Sequence, residues 1–190
     1  RGMKVWLIDE GKYPSGFAGG KFTQERPDLR MQALVVLDTL RVAAGSTVRD
    51  RRIDPKIISA VAVSPQGVAN RPVEISDHSI TFNAGVHDWE ILLVGADFRT
   101  AQTRAVNNPS GGKDTNNSIM DYLNPAATRQ FLDWTHERYK EYFGEEFGTT
   151  VLGFRGDEPD YAHTPWTPAM IDIFRERKGY DPTPYLAAFF

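Results

Sequence analysis

Two stretches of this chain repeat one arrangement, a strand-like apolar run that delivers an Asp-Glu pair. Met3-Lys4-Val5-Trp6-Leu7-Ile8 ends in Asp9-Glu10, and Thr150-Val151-Leu152-Gly153-Phe154 leads through Arg155-Gly156 to Asp157-Glu158-Pro159. Two carboxyl groups at the ends of buried strands can divide acid and base work, one held protonated as a donor and the other ionised to activate water or attack. Cleavage of a glycosidic bond is the commonest chemistry that needs both, which singles out Glu10 and Glu158. A single Asp-Glu is ordinarily a turn cap or half of a surface ion pair. Two at matching strand ends are harder to dismiss. Trp6, Tyr13, Tyr161 and Trp166 lie close to these acids in sequence, and aromatic faces stack on the C–H edges of sugar rings. Core packing explains Trp6 equally well, and for Tyr161 and Trp166 the two readings are balanced.

The elements that must hold these groups can be read from periodicity and turn chemistry. Residues 3–8 lack polar–apolar alternation apart from Lys4, as expected for a strand covered on both faces in a parallel sheet. Gly11, Pro14, Gly16, Gly19 and Gly20 then make a tight loop whose backbone can approach a ligand. Between 33 and 105 the texture is short strands, at 33–40, 57–63, 73–75, 79–82 and 89–95, separated by turn residues, which reads as an antiparallel insertion. A polar loop follows over 106–118. Asn124-Pro125 caps a helix predicted over 125–143 and stopped by Gly144, with Ala127, Phe131, Thr135, Tyr139 and Tyr142 on one face. That helix feeds the strand at 150–154. Thr167-Pro168 opens another helix ending at Gly179, and Asp181-Pro182 begins a third.

This alternation predicts an α/β fold, a partial (β/α)8 TIM-type barrel fragment carrying an antiparallel β-rich insertion. The expected organisation is a barrel strand and glycine-rich βα loop over 1–32, the insertion over 33–105, and a barrel segment of loop, helix, strand and helices over 106–190. The chain has 190 residues, whereas a complete barrel takes about 250 and rarely under about 200. The expectation is therefore a piece of a longer polypeptide, inactive and marginally stable when isolated, with the remainder of that parent as its partner.

Composition narrows the partners. With 41% hydrophobic and 12% aromatic residues the chain has material for a core, and a formal charge of −3 provides no field for nucleic acid or an anionic membrane. The absence of cysteine removes disulfides, thiolate metal sites and cysteine nucleophiles but leaves the compartment open; a periplasmic or extracellular place is the expectation. Gly16-Phe17-Ala18-Gly19-Gly20-Lys21 is too short for a phosphate loop, and Phe22 stands where a magnesium-binding hydroxyl belongs. His136-Glu137 begins like a zinc-protease helix, but Lys140 occupies the second histidine position and the predicted helical phase turns His136 away from the apolar face, toward solvent. The sequence requires no cofactor. There is no Gly-x-Ser-x-Gly elbow.

Taken in order, Val5-Trp6-Leu7-Ile8-Asp9-Glu10 with Pro14-Ser15-Gly16-Phe17-Ala18-Gly19-Gly20, Asp121-Tyr122-Leu123-Asn124-Pro125, Thr135-His136-Glu137-Arg138-Tyr139, and Gly153-Phe154 with Asp157-Glu158-Pro159 resemble glycoside hydrolase family 106, the α-L-rhamnosidase family. The resemblance implies a barrel catalytic domain within a longer bacterial polypeptide, acting on polysaccharide with inversion at the anomeric carbon, and calcium near the active site in some members. By position it implies Glu10 and Glu158 as the catalytic pair, with Asp9, Ser15, Asp121 and Asp157 as supporting groups.

The expected reaction is hydrolysis of an α-linked deoxyhexose such as rhamnose, with one glutamate acidic and the other holding water. Which glutamate is the acid stays open, as does a role for Asp157 in place of one of them. The alternative from another class is a non-catalytic carbohydrate-binding or scaffold segment of a larger glycosidase, in which the acids are structural.

Overall fold

A computed structural model describes residues 2–8, 15–99, 118–156 and 164–190. In chain order its strands are β1 (Val5–Ile8), β2 (Gln32–Val42), β3 (Thr47–Arg52), β4 (Ile57–Val63), β5 (Arg71–Val73), β6 (Ile75–Ser76), β7 (Ser79–Asn83), β8 (Trp89–Phe98), β9 (Val151–Arg155) and β10 (Pro165–Trp166). Its helices are α1 (Lys21–Gln24), α2 (Pro125–Trp134), α3 (His136–Phe143) and α4 (Met170–Lys178). The chain divides into two compact units, one of Arg1–Gln32 with Phe98–Thr167, the other of Ala33–Asp97 with Pro168–Phe190.

In the first unit β1 and β9 form a two-stranded parallel sheet, with Trp6 opposite Gly153, Leu7 opposite Phe154 and Ile8 opposite Arg155. The apolar run of β1 predicted burial on both faces, yet Val5, Trp6 and Ile8 are exposed, Trp6 by 58%. Among the described residues the strand pairs with β9 alone, which leaves its other edge without a neighbouring strand. Around it the glycine loop and the segment entering α2 are laced by backbone bonds: Met120 N–H to Gly16 C=O at 3.0 Å, Met31 N–H to Ile119 C=O at 2.9 Å and Asp121 N–H to Leu29 C=O at 2.9 Å. Phe22, fully buried, sits with Ala18, Leu29, Ala127 and Phe131 and meets Trp134 edge-on at 5.0 Å. Truncating such a ring costs about 3–5 kcal/mol.

Asn124 caps α2 as its sequence predicts, its side chain accepting the Ala126 N–H at 3.0 Å with Pro125 in the first turn. The single helix expected to residue 143 instead breaks at Thr135 (φ −119°, ψ −78°). The Thr135 hydroxyl donates to the Phe131 carbonyl at 2.6 Å, a bond back to residue i−4 that bends helices. Beyond the break the predicted apolar face is no longer covered: Ala127 and Phe131 are buried, while Tyr139 and Tyr142 are exposed.

The second unit is antiparallel. β2, β8, β4 and β5 lie side by side in that order, and β3, β7 and β6 form another sheet; β4–β5, β4–β8, β3–β7 and β6–β7 all run antiparallel. Ala60, Ala62, Ile91 and Leu93 from the first sheet share a core with Ile80 and Phe82 from the second, so the two sheets bury their apolar faces together. Buried Ser59 donates to the Thr183 carbonyl at 2.7 Å, fixing the C-terminal 3-10 run Thr183–Phe189 to β4. β3 escaped the sequence reading because Thr-Val-Arg-Asp-Arg-Arg offers one half-buried residue in an exposed strand.

The partial TIM-type barrel is thus corrected. A barrel fragment needs consecutive parallel strands around a common interior. Among the described residues β1 and β9 form a parallel pair of their own, and the antiparallel sheets of the second unit close a separate core. The apolar faces of β4, β7 and β8 are buried against one another within the antiparallel unit and line no barrel interior.

Candidate active site

The last rung of the parallel pair, Ile8 opposite Arg155, sets the geometry that concerns chemistry. As parallel neighbours, β1 and β9 end side by side, and adjacent strands in any sheet run about 4.8 Å apart. Asp9, Glu10, Tyr13, Asp157, Glu158 and Tyr161 themselves lie outside the described residues. The remaining three sequence candidates, Ser15, Asp121 and Trp166, are described, and they differ from one another.

Ser15 is at the strand ends. A Cβ on Gly156, the residue before Asp157, would stand 3.9 Å from the Ser15 hydroxyl. The Ser15 carbonyl accepts the Tyr122 hydroxyl. Next to it Gly16 has φ +116°, and a Cβ there would meet Met120 at 3.1 Å and the Tyr122 hydroxyl at 3.3 Å. Both the backbone conformation and the space call for glycine, which explains one of the residues that marked the loop as unusual.

Asp121 is 2% exposed. Its Oδ1 accepts the Leu123 N–H at 2.9 Å, and the Thr167 hydroxyl donates to the carboxyl. Burial raises its pKa above the ordinary carboxylate value, opposed by these two hydrogen bonds. The Asp121 carbonyl in turn accepts Asn124 N–H at 3.0 Å, so this acid builds the turn that caps α2. Trp166 is buried, which favours packing over an exposed sugar platform.

A cavity of about 350 Å³ opens at the C-terminal ends of β1 and β9, between them and the α2–α3 segment. Leu7, Met120, Phe131, Leu132, Tyr139 and Phe154 make it predominantly apolar, and Ser15, Tyr122, His136 and Arg155 bring polar atoms to it. His136 was expected in solvent. The break at Thr135 re-phases the helix, and the imidazole stacks on Phe154 with centroids 3.7 Å apart. Since the one hydroxyl proton of Thr135 goes to the Phe131 carbonyl, the 2.9 Å contact between Thr135 Oγ1 and His136 Nδ1 is donated by the ring. His136, Tyr122 and Tyr139 were missed as cavity residues; the signal in sequence was a threonine placed four residues after Phe131, where its hydroxyl can reach back.

Among the described residues no group of three or more histidine or acidic side chains could hold a metal ion. Asp121, the buried carboxylate, spends its oxygens on Leu123 and Thr167. The calcium implied by resemblance thus has no matching donor set among them, and no chemistry is routed through it. No helix among the described residues is long and apolar enough to cross a membrane.

Residues 41–190 match the sequence profile of glycoside hydrolase family 106, described as alpha-L-rhamnosidase. The matched stretch contains Asp121, His136, Asp157, Glu158, Tyr161 and Trp166, and begins after Asp9, Glu10, Tyr13 and Ser15. No curated protein matches the chain.

Proposed function

Because this chain belongs to glycoside hydrolase family 106, the α-L-rhamnosidase family, we propose that it forms part of a site that hydrolyses α-linked deoxyhexose units, rhamnose or a close relative, in polysaccharides. Glu10 and Glu158 are the carboxylates assigned to the reaction, with Asp9, Ser15 and Asp157 supporting them and Tyr13 and Tyr161 contacting sugar. The observation that supports the reading is the parallel register that ends at Ile8 and Arg155, the strand ends that precede Asp9-Glu10 and Asp157-Glu158 in the sequence.

In an inverting reaction one glutamic acid protonates the leaving oxygen while the other glutamate takes a proton from water attacking the opposite face of the sugar. That arrangement needs a carboxyl separation of about 6.5–9.5 Å, against about 5–5.5 Å for a retaining pair. Release of an aryl α-L-rhamnoside's chromophore, followed in the chain and in a longer polypeptide that carries it, tests the assignment. Glu10→Gln and Glu158→Gln should each lower turnover by about 10² or more. Rhamnosidase activity that survives both substitutions removes this pair from the mechanism, and proton NMR of the first-formed anomer decides inversion against retention.

A further inference from the structure

The second unit ends in an arm whose aromatic rings stand in water although the backbone beneath them is fixed. Gly179, left-handed at φ +78°, stops α4 and turns the chain into Tyr180. Asp181 then ties the arm back to the helix: its Oδ2 accepts Arg175 Nη2 at 2.6 Å, and its Oδ1 accepts the Thr183 hydroxyl at 2.6 Å. Ser59 in β4 holds the next turn through the Thr183 carbonyl at 2.7 Å. Tyr180 and Tyr185 are nevertheless 54% and 64% exposed. Tyr180 meets Phe174 at 5.1 Å and Tyr185 at 6.2 Å, edge to face in both contacts, so the two tyrosines form a corner with ring surface left open. On the same arm a cleft of about 630 Å³ is lined by Arg175, Asp181 and Thr183, with Ser59, Pro72 and Glu74 contributed by the sheet.

We infer that this arm is a second carbohydrate-binding surface, built from residues of the second unit alone and suited to neutral stretches of a polysaccharide. Tyr180 and Tyr185 stack on the C–H faces of sugar rings, and Glu74 accepts hydroxyl protons of the same polymer in the cleft. Scattered exposed apolar side chains need no explanation, but a mutually packed aromatic pair on the rim of a polar cleft is a combination that binding sites use. The Asp181 clamp and the Ser59 bond hold the backbone on either side of the rings before any ligand arrives, which lowers the ordering cost of binding. Charge selects against acidic sugars. Arg175 is shared between Asp181 at 2.6 Å and Asp172 at 3.4 Å, and Glu74 adds a further carboxylate, so the cleft has no surplus cation for a uronate. A hydrolase held on its polymer by such a surface meets cleavable linkages at a raised effective concentration. The inference rests on the chain's membership of a glycoside hydrolase family and not on the assignment of Glu10 and Glu158.

Affinity electrophoresis of the full chain tests it, in native gels that each contain one neutral polymer (a β-glucan, a xyloglucan, a galactan or a mannan) or polygalacturonate. At least one neutral polymer should retard the chain, and polygalacturonate should not. Tyr180→Ala and Tyr185→Ala should each weaken the dissociation constant read from the retardation by about threefold to tenfold. Tyr185→Trp, which keeps an aromatic face at the same place, should stay within about twofold of the native chain. Glu74→Ala should weaken it by about threefold. The double variant Glu10→Gln with Glu158→Gln should be retarded like the native chain, which separates this surface from the hydrolytic pair. Retardation by no neutral polymer, by polygalacturonate alone, or undiminished in both alanine variants overturns the inference and leaves the hydrolase reading standing. Retardation lost in the double glutamine variant assigns the binding to the hydrolytic site and overturns it as well.

Discussion

The imidazole of His136 lies on the ring of Phe154 at 3.7 Å with the planes 29° apart, joining the first residue of α3 to the parallel strand β9. Phe154 also contacts Tyr139 at 5.9 Å and Phe147 at 5.6 Å, so one ring gathers three side chains, two from α3 and one from the segment that leads into β9. This stack separates shape from polarity in a simple pair of variants. His136→Phe keeps an aromatic face on Phe154 and loses the bond to Thr135, at a cost of about 0.5–1.5 kcal/mol. His136→Ala loses both, with the aromatic contact adding about 0.5–1.5 kcal/mol beyond area burial. Urea titration should therefore rank the native chain above the phenylalanine variant and that above alanine; equal costs for the two variants would show the stack contributes nothing.

Much of the organisation around this stack was legible in the chain. The Asn124-Pro125 cap, the glycine stop at 144 and the strand before Arg155 follow from local chemistry, and local chemistry is what the structure obeys there. The errors fall where tertiary context decides. The apolar pattern of β1 is that of a covered strand, but pattern alone does not say what covers it, and Trp6 stands exposed. The barrel expectation extrapolated from one real parallel pair, β1 and β9, to a closed ring of parallel strands that the described residues do not show. His136 was misplaced by assuming an unbroken helical phase through Thr135. Asp121 was found from resemblance as a supporting residue, and its role in the α2 turn came only from its bond to Leu123.

Asp121 gives a stability profile of defined sign. Its pKa is raised in the fold by burial, so between its unfolded value and its folded one the native state holds the extra proton. The stabilisation is complete below about pH 3.9, the unfolded value, and is lost as pH rises through the folded value. At neutral pH the ionised buried carboxylate is a net cost. Asp121→Asn keeps an acceptor for the Leu123 N–H and removes the ionisation, so thermal melts across pH 3–7 should show a flatter profile and no loss at pH 7. Asp121→Ala strands that N–H and should cost about 1–3 kcal/mol. A profile unchanged by Asp121→Asn would assign the acid-side dependence to other groups.

Asp181 carries the opposite sign. The Thr183 hydroxyl at 2.6 Å and Arg175 Nη2 at 2.6 Å, with the Thr183 N–H at 2.9 Å, hold its pKa down to about 2. A depressed folded value means stability present above the unfolded value and lost as pH falls toward about 2. The side chain is 45% exposed, so solvent screens the pair and the effect is modest. Asp181→Asn should remove the part of the acid-side loss that falls between about pH 4 and 2. High salt should weaken the Arg175 contribution in the native chain and leave the variant unaffected. An acid transition identical in the two proteins would exclude this clamp.

Gly153 and Trp6 face each other across the parallel pair, and the fit is tight on the glycine side. Gly153 has φ +153°, and a Cβ there would come within 3.1 Å of the Trp6 ring. Gly153→Ala must move the indole or the strand, in a backbone conformation that side chains rarely adopt, for about 1–3 kcal/mol of destabilisation. Trp6 is the reporter of its own displacement: its emission should shift to the red as the ring lifts from β9 into water. Trp6→Leu relieves the clash, so Gly153→Ala should cost less in that background, an interaction energy of about 0.5 kcal/mol or more in a double-mutant cycle. Additive costs would mean that the ring does not rest on Gly153 in solution. The β1–β9 contact would then depend on its backbone ladder alone, starting with the 2.9 Å bond from Val5 N–H to the Thr150 carbonyl.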